Sequence, residues 1–255
     1  LSDSRVQVLH KENGGKHSAM NFALEKTASD LIGCLDADSV VDREALNHIV
    51  AVFTDEKVAV VTPGIHSQKP TNLLQHLQKA EYRMSIFTRA AYADIGSTFI
   101  TPGPFSIFRT ALIKQVGGWR HAHSTEDLEI GLRLQEMGCI IRNEPLAAVY
   151  TKTPATLRAL IRQRVRWSYG FLCNAIDYRH MIGNPKYGNL GILAIPMGVL
   201  SIGIVLFLTT MLVWNTFHSA FQWIQYFIIT GSLGTFAFDP FFLSTSILSF
   251  LVYIS

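Results

Sequence analysis

The sequence predicts an α/β fold: a mostly parallel sheet covered by helices, followed by interfacial helices and transmembrane α-helices. Three observations predict it. An apolar run at Leu31–Leu35, a helical pattern at Val41–Phe53 and a second apolar run in "KVAVVTPG" follow one another, and strand, helix, strand in that order implies parallel strands under a covering helix. A pair of acids, Asp36 and Asp38, falls where the first strand emerges, at the carboxyl end where such sheets bind ligands. No Lys, Arg, Asp or Glu occurs from Tyr187 to Phe238, a run far longer than the roughly 20 apolar residues that cross a bilayer.

Taken in order, Arg5–Leu9 alternates like a short strand, and Asn13-Gly14-Gly15 is a turn signal opening a helix over 16–27. Leu31–Leu35 reads as a strand buried on both faces. Val41, Ala45, Leu46, Ile49, Val50 and Phe53 recur at helical spacing. Asn72–Tyr92 predicts a long helix. Pro102, Gly103 and Pro104 predict a rigid turn before a short strand, and Glu126–Met137 a helix capped by Gly138. A last helix from about Pro154 carries "IRQRVRWSYG" toward the apolar region. There, Leu190 to about Trp214 predicts one span; a second is expected from near Phe221, interrupted by Gly231, Gly234, Asp239 and Pro240.

These patterns divide the chain at 153 and 186: a domain over 1–153, an interfacial helical region over 154–186, and transmembrane helices over 187–255. The net charge of +3 is spread over mixed sequence and excludes a nucleic-acid partner. Cys34, Cys139 and Cys173 lack metal-type spacing and read as reduced, structural thiols of a cytoplasmic domain. Leu1 is not an initiator methionine, and both ends read as cut from a longer protein.

Three patterns carry candidate chemistry, each with a plainer alternative. Asp36-Ala37-Asp38 offers hard oxygen ligands suited to Mg²⁺ or Mn²⁺ shared with a diphosphate, or simply solvated loop acids. Ser124-Thr125-Glu126-Asp127 has the composition of a helix start, with Ser124 or Thr125 as cap, but a carboxylate at the mouth of the sheet also suits a general base. Gln163, Arg166 and Trp167 lie at i, i+3 and i+4 and so share a helix face, with a guanidinium for phosphate and an indole for a sugar ring. The plainer reading is a membrane anchor, since positive charge and aromatic residues flank spans in any case.

Asp-x-Asp, Thr-Glu-Asp and Gln-x-x-Arg-Trp, in that order, resemble the processive family 2 glycosyltransferases, membrane polysaccharide synthases related to those making cellulose, chitin and hyaluronan. The resemblance covers about Val6–Tyr178 and the spans beyond; "TEDLEIGLRLQ" with "RQRVRW" is most similar to the bacterial poly-β-1,6-N-acetyl-D-glucosamine synthases within it. It implies a GT-A-like, Rossmann-type nucleotide-sugar fold at the inner (plasma) membrane, multi-pass, with its catalytic domain in the cytoplasm. It implies Asp127 as catalytic base, Asp36 and Asp38 as ligands of the metal, and Asp36 also as a contact of a UDP-sugar. Glu126, Gln163, Arg166 and Trp167 would line the site of diphosphate and glycan. "GGKHSAMN" is similar to the family's Gly-Lys-x-x-x-x-Asn segment, making Lys16 and Asn21 nucleotide contacts, and "TPGPFSIFR" to its acceptor loop, with Gly103, Pro104 and Ser106 near the terminal sugar.

The implied partners are a UDP-sugar donor, a growing glycan, the bilayer and an accessory membrane subunit. The alternatives are an enzyme adding a single sugar to a lipid carrier and a non-catalytic sugar-nucleotide-binding scaffold. One departure stands out: the family's first nucleotide-binding strands should precede Asp36 by more residues than are present, so an incomplete sheet with open edges, inactive alone, is expected.

Overall fold

The computed structural model describes residues 5–231, and the chain divides into two units, Leu1–Pro196 and Met197–Ser255. In the first unit the elements run α1 (Lys16–Lys26), β1 (Leu31–Cys34), β2 (Ser39–Val41), α2 (Ala45–Ala51), β3 (Val58–Ser67), α3 (Leu73–Asp94), β4 (Ser106–Arg109), α4 (Thr110–Gln115), α5 (Glu126–Glu136), β5 (Ile140–Thr151) and α6 (Leu157–Asp177). Arg5–Leu9 is irregular and exposed, not a strand: a five-residue alternation without a partner ladder does not hold an extended conformation.

The five strands lie in the order β1-β4-β3-β5-β2. The sheet is mixed, which corrects the mostly parallel arrangement expected: only β3 and β5 pair in parallel, while β1–β4, β3–β4 and β2–β5 are antiparallel. The reason is topological. β1 and β3 are the strand–helix–strand pair legible in the sequence, but the later β4 inserts between them, aligning Phe108 with both Ile32 and Val60. Being at the edge, β1 is half-buried at Leu31, Ile32 and Cys34 and exposed at Gly33, where burial on both faces was expected. The central β3 is buried nearly throughout, and its neighbour β4 at Ser106, Ile107 and Phe108.

Alternation along these strands sorts the core into two faces. Val60 and Phe108 pack with Leu24 of α1, Ile113 of α4 and Ile130 and Leu134 of α5. Their neighbours Val61 and Ile107 pack on the other face with Ala45 and Ile49 of α2. Within β5 the register jumps from Glu144 to Ala148 opposite Pro63 and Gly64, with Pro145 in the bulge, where a missing N–H costs no ladder bond. Gly64 accommodates it, since a Cβ there would collide with the Pro145 carbonyl.

A third cluster, with Leu128 and Leu132 of α5, Tyr178, Met181, Leu190 and Ile195, follows α6. From Leu190 a π-helical turn leads into α7 (Ile195–Thr230). Leu190–Thr230 is the one helix among the described residues long and apolar enough to cross a membrane. At about 1.5 Å per residue it is roughly 60 Å long, beyond the need of one span. It passes Phe221 without the break expected there. Gly234, Asp239 and Pro240 lie outside the described residues.

Candidate active site

The site forms where β1 ends. Ser39 N–H closes a turn onto the Asp36 carbonyl at 3.0 Å, so the acidic pair sits on a tight connection between β1 and β2. Asp36 is half-buried; Asp38 is exposed, with the Ser39 hydroxyl 3.3 Å from its Oδ1. At the start of α1, Lys16 Nζ donates to Asp36 Oδ1 at 2.7 Å and lies 3.8 Å from Glu126 Oε1. Burial alone would lower the Lys16 ammonium, but the bond to Asp36 and the carboxylates around it outweigh that and hold it above its ordinary value.

The Pro102–Phe105 turn covers this pair. Gly103 is close enough that a Cβ would approach Lys16 Nζ to 2.5 Å and Asp36 Oδ2 to 2.9 Å, so the absent side chain keeps the ammonium and carboxylate accessible. Phe105 holds a left-handed φ of 62° while its N–H bonds the Cys34 carbonyl at 2.7 Å. Ser106 is buried in β4 and spends its hydroxyl on the Pro102 carbonyl at 2.6 Å; it fastens the turn and does not face a ligand. Pro104 is half-buried in the same turn.

Asp127 enters from α5. A small recess is lined by Lys16, Cys34, Thr101, Gly103, Glu126 and Asp127. Thr101 anchors the helix start, its N–H and hydroxyl both reaching the Asp127 carbonyl, at 3.0 and 2.6 Å. Burial raises the Asp127 carboxyl above the usual range and Glu126 adds to this, while Lys16 and the N–H groups of Asp127 and Leu128 pull it back. A carboxylate tuned upward in this way is a stronger base than an ordinary aspartate.

Thr125 occupies the N-cap position of α5 without capping it: the hydroxyl turns back to the Ala122 carbonyl at 2.9 Å. Asn21, expected among the nucleotide contacts, engages the backbone of Trp119 from both ends of its amide, accepting from the N–H and donating to the carbonyl, each at 2.8 Å.

On α6, Gln163 is half-buried with Oε1 unpartnered, Arg166 is exposed with Nη1 3.4 Å from the Ser124 carbonyl, and Trp167 is 37% exposed. Arg164, next to Gln163 in the chain, is buried. Its guanidinium lies 4.7 Å from the Trp167 ring and 2.5 Å from Glu81 of α3. Glu81, Tyr82 and Arg89 were not expected at the site. They share one face of α3 and link its parts electrostatically, for Tyr82 feels Arg164 and Asp38, and Arg89 feels Asp127. The available signal was the i, i+1, i+8 spacing of two charges and a phenol on the side of α3 that also buries Gln75 and Gln78.

Lys16, Asp36, Gly103, Glu126 and Asp127 therefore converge, and Arg166 joins them through Ser124. No cluster of three or more His, Cys, Asp or Glu side chains with metal-binding geometry occurs among the described residues. A divalent ion that shares its coordination with a diphosphate takes only one or two protein carboxylates, and Asp36 Oδ2, beside the Oδ1 that Lys16 holds, fits that demand. The three cysteines are free.

Residues 31–254 match the model of "Glycosyl transferase family group 2". The poly-beta-1,6-N-acetyl-D-glucosamine synthase of Staphylococcus aureus (strain COL) is 32% identical over 162 residues, 63% of this chain and 39% of that protein. The synthase of the same name from Staphylococcus epidermidis is 29% identical over 160 residues, 62% of this chain and again 39% of its own length. The chain thus spans about two-fifths of these relatives. Among solved structures, a mannosyltransferase from Pyrobaculum calidifontis in complex with GDP-Man and Mn²⁺ superposes with a TM-score of 0.61 at 17% identity. The match covers 97% of this chain and 67% of that one, a likeness of fold.

Proposed function

Since the chain belongs to glycosyl transferase family group 2, we propose that it transfers a sugar, N-acetylglucosamine, from a UDP-sugar to a growing β-linked glycan at the inner membrane, processively and with inversion. The observation that carries this reading is the meeting of Lys16, itself paired with Asp36, with Glu126 and the upward-tuned Asp127 in one recess under the Gly103 turn.

The obstacle in displacing UDP is negative charge growing on the leaving diphosphate. Asp36 and Asp38 would hold Mg²⁺ or Mn²⁺, which supplies the neutralising charge. Lys16, already an ammonium at the recess, and Arg166 would bind the phosphates. Asp127 would take the proton from the acceptor hydroxyl, a contribution of roughly 10²–10⁴ in rate. One displacement on an α-linked donor gives a β-linked product. Trp167, with its ring still 37% exposed above Arg164, offers a plane for the glycan between additions.

Membrane attachment is supported by two features. Leu157, Ile161, Val165, Tyr169 and Ile176 form an exposed stripe along α6, flanked by Arg158 and Arg162, the pattern of a helix lying in a lipid interface. Leu190–Thr230 has the length and composition of a spanning helix. A multi-pass protein with its catalytic domain in the cytoplasm, working with an accessory subunit, belongs to the same proposal.

The test is UDP release by the intact protein in membranes across a panel of UDP-sugars, with product length measured. UDP-N-acetylglucosamine is expected to give polymer. Asp127→Asn should lower release by roughly 10²–10⁴-fold while UDP still binds; retained full turnover overturns the base role, and products one sugar long overturn processivity.

A further inference from the structure

Ala122, His123 and Ser124 have φ of 44°, 54° and 63°, a run of left-handed residues without a glycine among them. Each such residue costs about 1–2 kcal/mol, so a run persists only where its surroundings over-determine it. Thr125 follows, and Glu126 and Asp127 open α5 directly after it. The direction of this turn therefore sets where both carboxylates enter the recess.

α6 holds the turn. Asn174 is fully buried and directs Nδ2 to the Gly170 carbonyl at 2.7 Å, the Thr125 hydroxyl at 3.0 Å and the Ala122 carbonyl at 3.5 Å. Its Oδ1 has no partner, so the amide serves as a donor alone. Gly170, inside the helix where glycine costs about 1 kcal/mol against alanine, is needed because a Cβ would collide with the Thr125 side chain. Asp177 Oδ2 meets His123 Nε2 at 3.0 Å, and Arg166 Nη1 reaches the Ser124 carbonyl. Arg166, Gly170, Asn174 and Asp177 recur at helical spacing, so a single face of α6 grips the turn at several points.

The geometry points to Asn174 as a positioning residue: by clamping Thr125 and Ala122 it keeps the strained 122–124 turn in the one conformation that presents the Asp127 carboxylate to the acceptor hydroxyl. The inference rests on the proposed base role of Asp127. It ties that base to the helix carrying Arg166 and Trp167, so that phosphate contact, glycan platform and proton acceptor are held by one rigid element.

The intact protein in membranes tests it through kcat, donor KM and UDP affinity. Asn174→Ala should lower kcat by about tenfold to a hundredfold, the effect of misplacing a reacting group by an ångström, with donor KM and UDP affinity unchanged. In an Asp127→Asn background it should cost nothing further, because both changes remove one function. If the losses multiply, or if UDP affinity falls along with kcat while Thr125→Val keeps full turnover, Asn174 is merely structural and the inference fails. Should Asn174→Ala not fold, Thr125→Val alone decides, since it removes only the hydroxyl from the clamp: a loss confined to kcat supports the clamp, and full turnover overturns it. Normal turnover in Asp127→Asn would instead overturn the base assignment. A slowed Asp127→Asn beside fully active Asn174→Ala and Thr125→Val overturns the clamp alone.

Discussion

Two buried ion pairs brace this domain, and they differ in how completely they are satisfied. Glu129 and Arg133 lie one turn apart on α5 with their side chains almost wholly buried. Arg133 donates to Glu129 Oε2 at 2.8 Å and to the carbonyls of Val116 and Gly118 at 2.5 and 2.7 Å, while the Tyr178 hydroxyl reaches Glu129 Oε1 at 2.8 Å. Among these atoms only Arg133 Nε is left without a partner. Glu81 and Arg164 come from different helices and approach to 2.5 Å, yet their angles fall outside hydrogen-bond geometry. Glu81 Oε2 and Arg164 Nε and Nη2 have no hydrogen-bond partner. A completed polar network fixes a unique packing, whereas an incomplete one in a native fold calls for a reason other than stability. The incomplete pair lies beneath Trp167 and beside Gln163, whose Oε1 is also unpartnered. The first pair holds the α5 end of the core, and the second supports the face read as binding the glycan.

The contrast is broken most directly at Arg133. Arg133→Met strands a buried Glu129 carboxylate and frees two carbonyls, so a loss of about 3–5 kcal/mol is expected, read as a large fall in the thermal midpoint of the detergent-solubilised protein. A fall of only a degree or two would mean that the network is not holding α5. Tyr178→Phe removes one bond to the same carboxylate and should cost less, about 1–3 kcal/mol. Its effect should be larger in an Arg133→Met background, where the Tyr178 hydroxyl is the donor left to Glu129; additive losses would separate them.

Much of the scaffold was legible because it depends on local pattern. β3 opens on the apolar run Val58–Val61, α3 is capped by Asn72, whose side chain accepts from Gln75 N–H at 2.9 Å, and Gly138 leaves α5 with φ of 76°. β5 escaped notice because Glu144 and Pro145 interrupt it, and they sit at a bulge that only a partner strand makes intelligible. The sheet's direction escaped for a related reason: four residues of β4 reverse the pairing, and nothing in "SIFR" says where they insert. At the site, Asp36, Glu126, Asp127 and Lys16 stand in recognisable motifs and converge. Glu81 and Asn174 do not, since each acts through a partner more than forty residues away. The burial of Arg164 was not legible, because helical spacing tells which residues share a face but not which face is covered.

The pH dependence of stability separates the pairs most cleanly. Burial pushes the Glu81 carboxyl up to about 7 against the pull of Arg164, whereas an unfolded glutamate titrates near about 4.3. Between those values the folded protein keeps a proton that the unfolded chain has released. This contribution to stability is therefore greatest at low pH, declines as pH rises toward about 7, and is level above it. Glu81→Gln removes the titration, so its thermal midpoint should lack that decline, with the variant gaining on the parent as pH rises from 5 to 7. Tyr178→Phe should leave the pH dependence as it is, because the Tyr178 hydroxyl is raised by burial and by Glu129, away from this range. If the parent and Glu81→Gln curves run parallel, Glu81 stays ionised against Arg164 at 2.5 Å, and the two pairs differ in geometry alone.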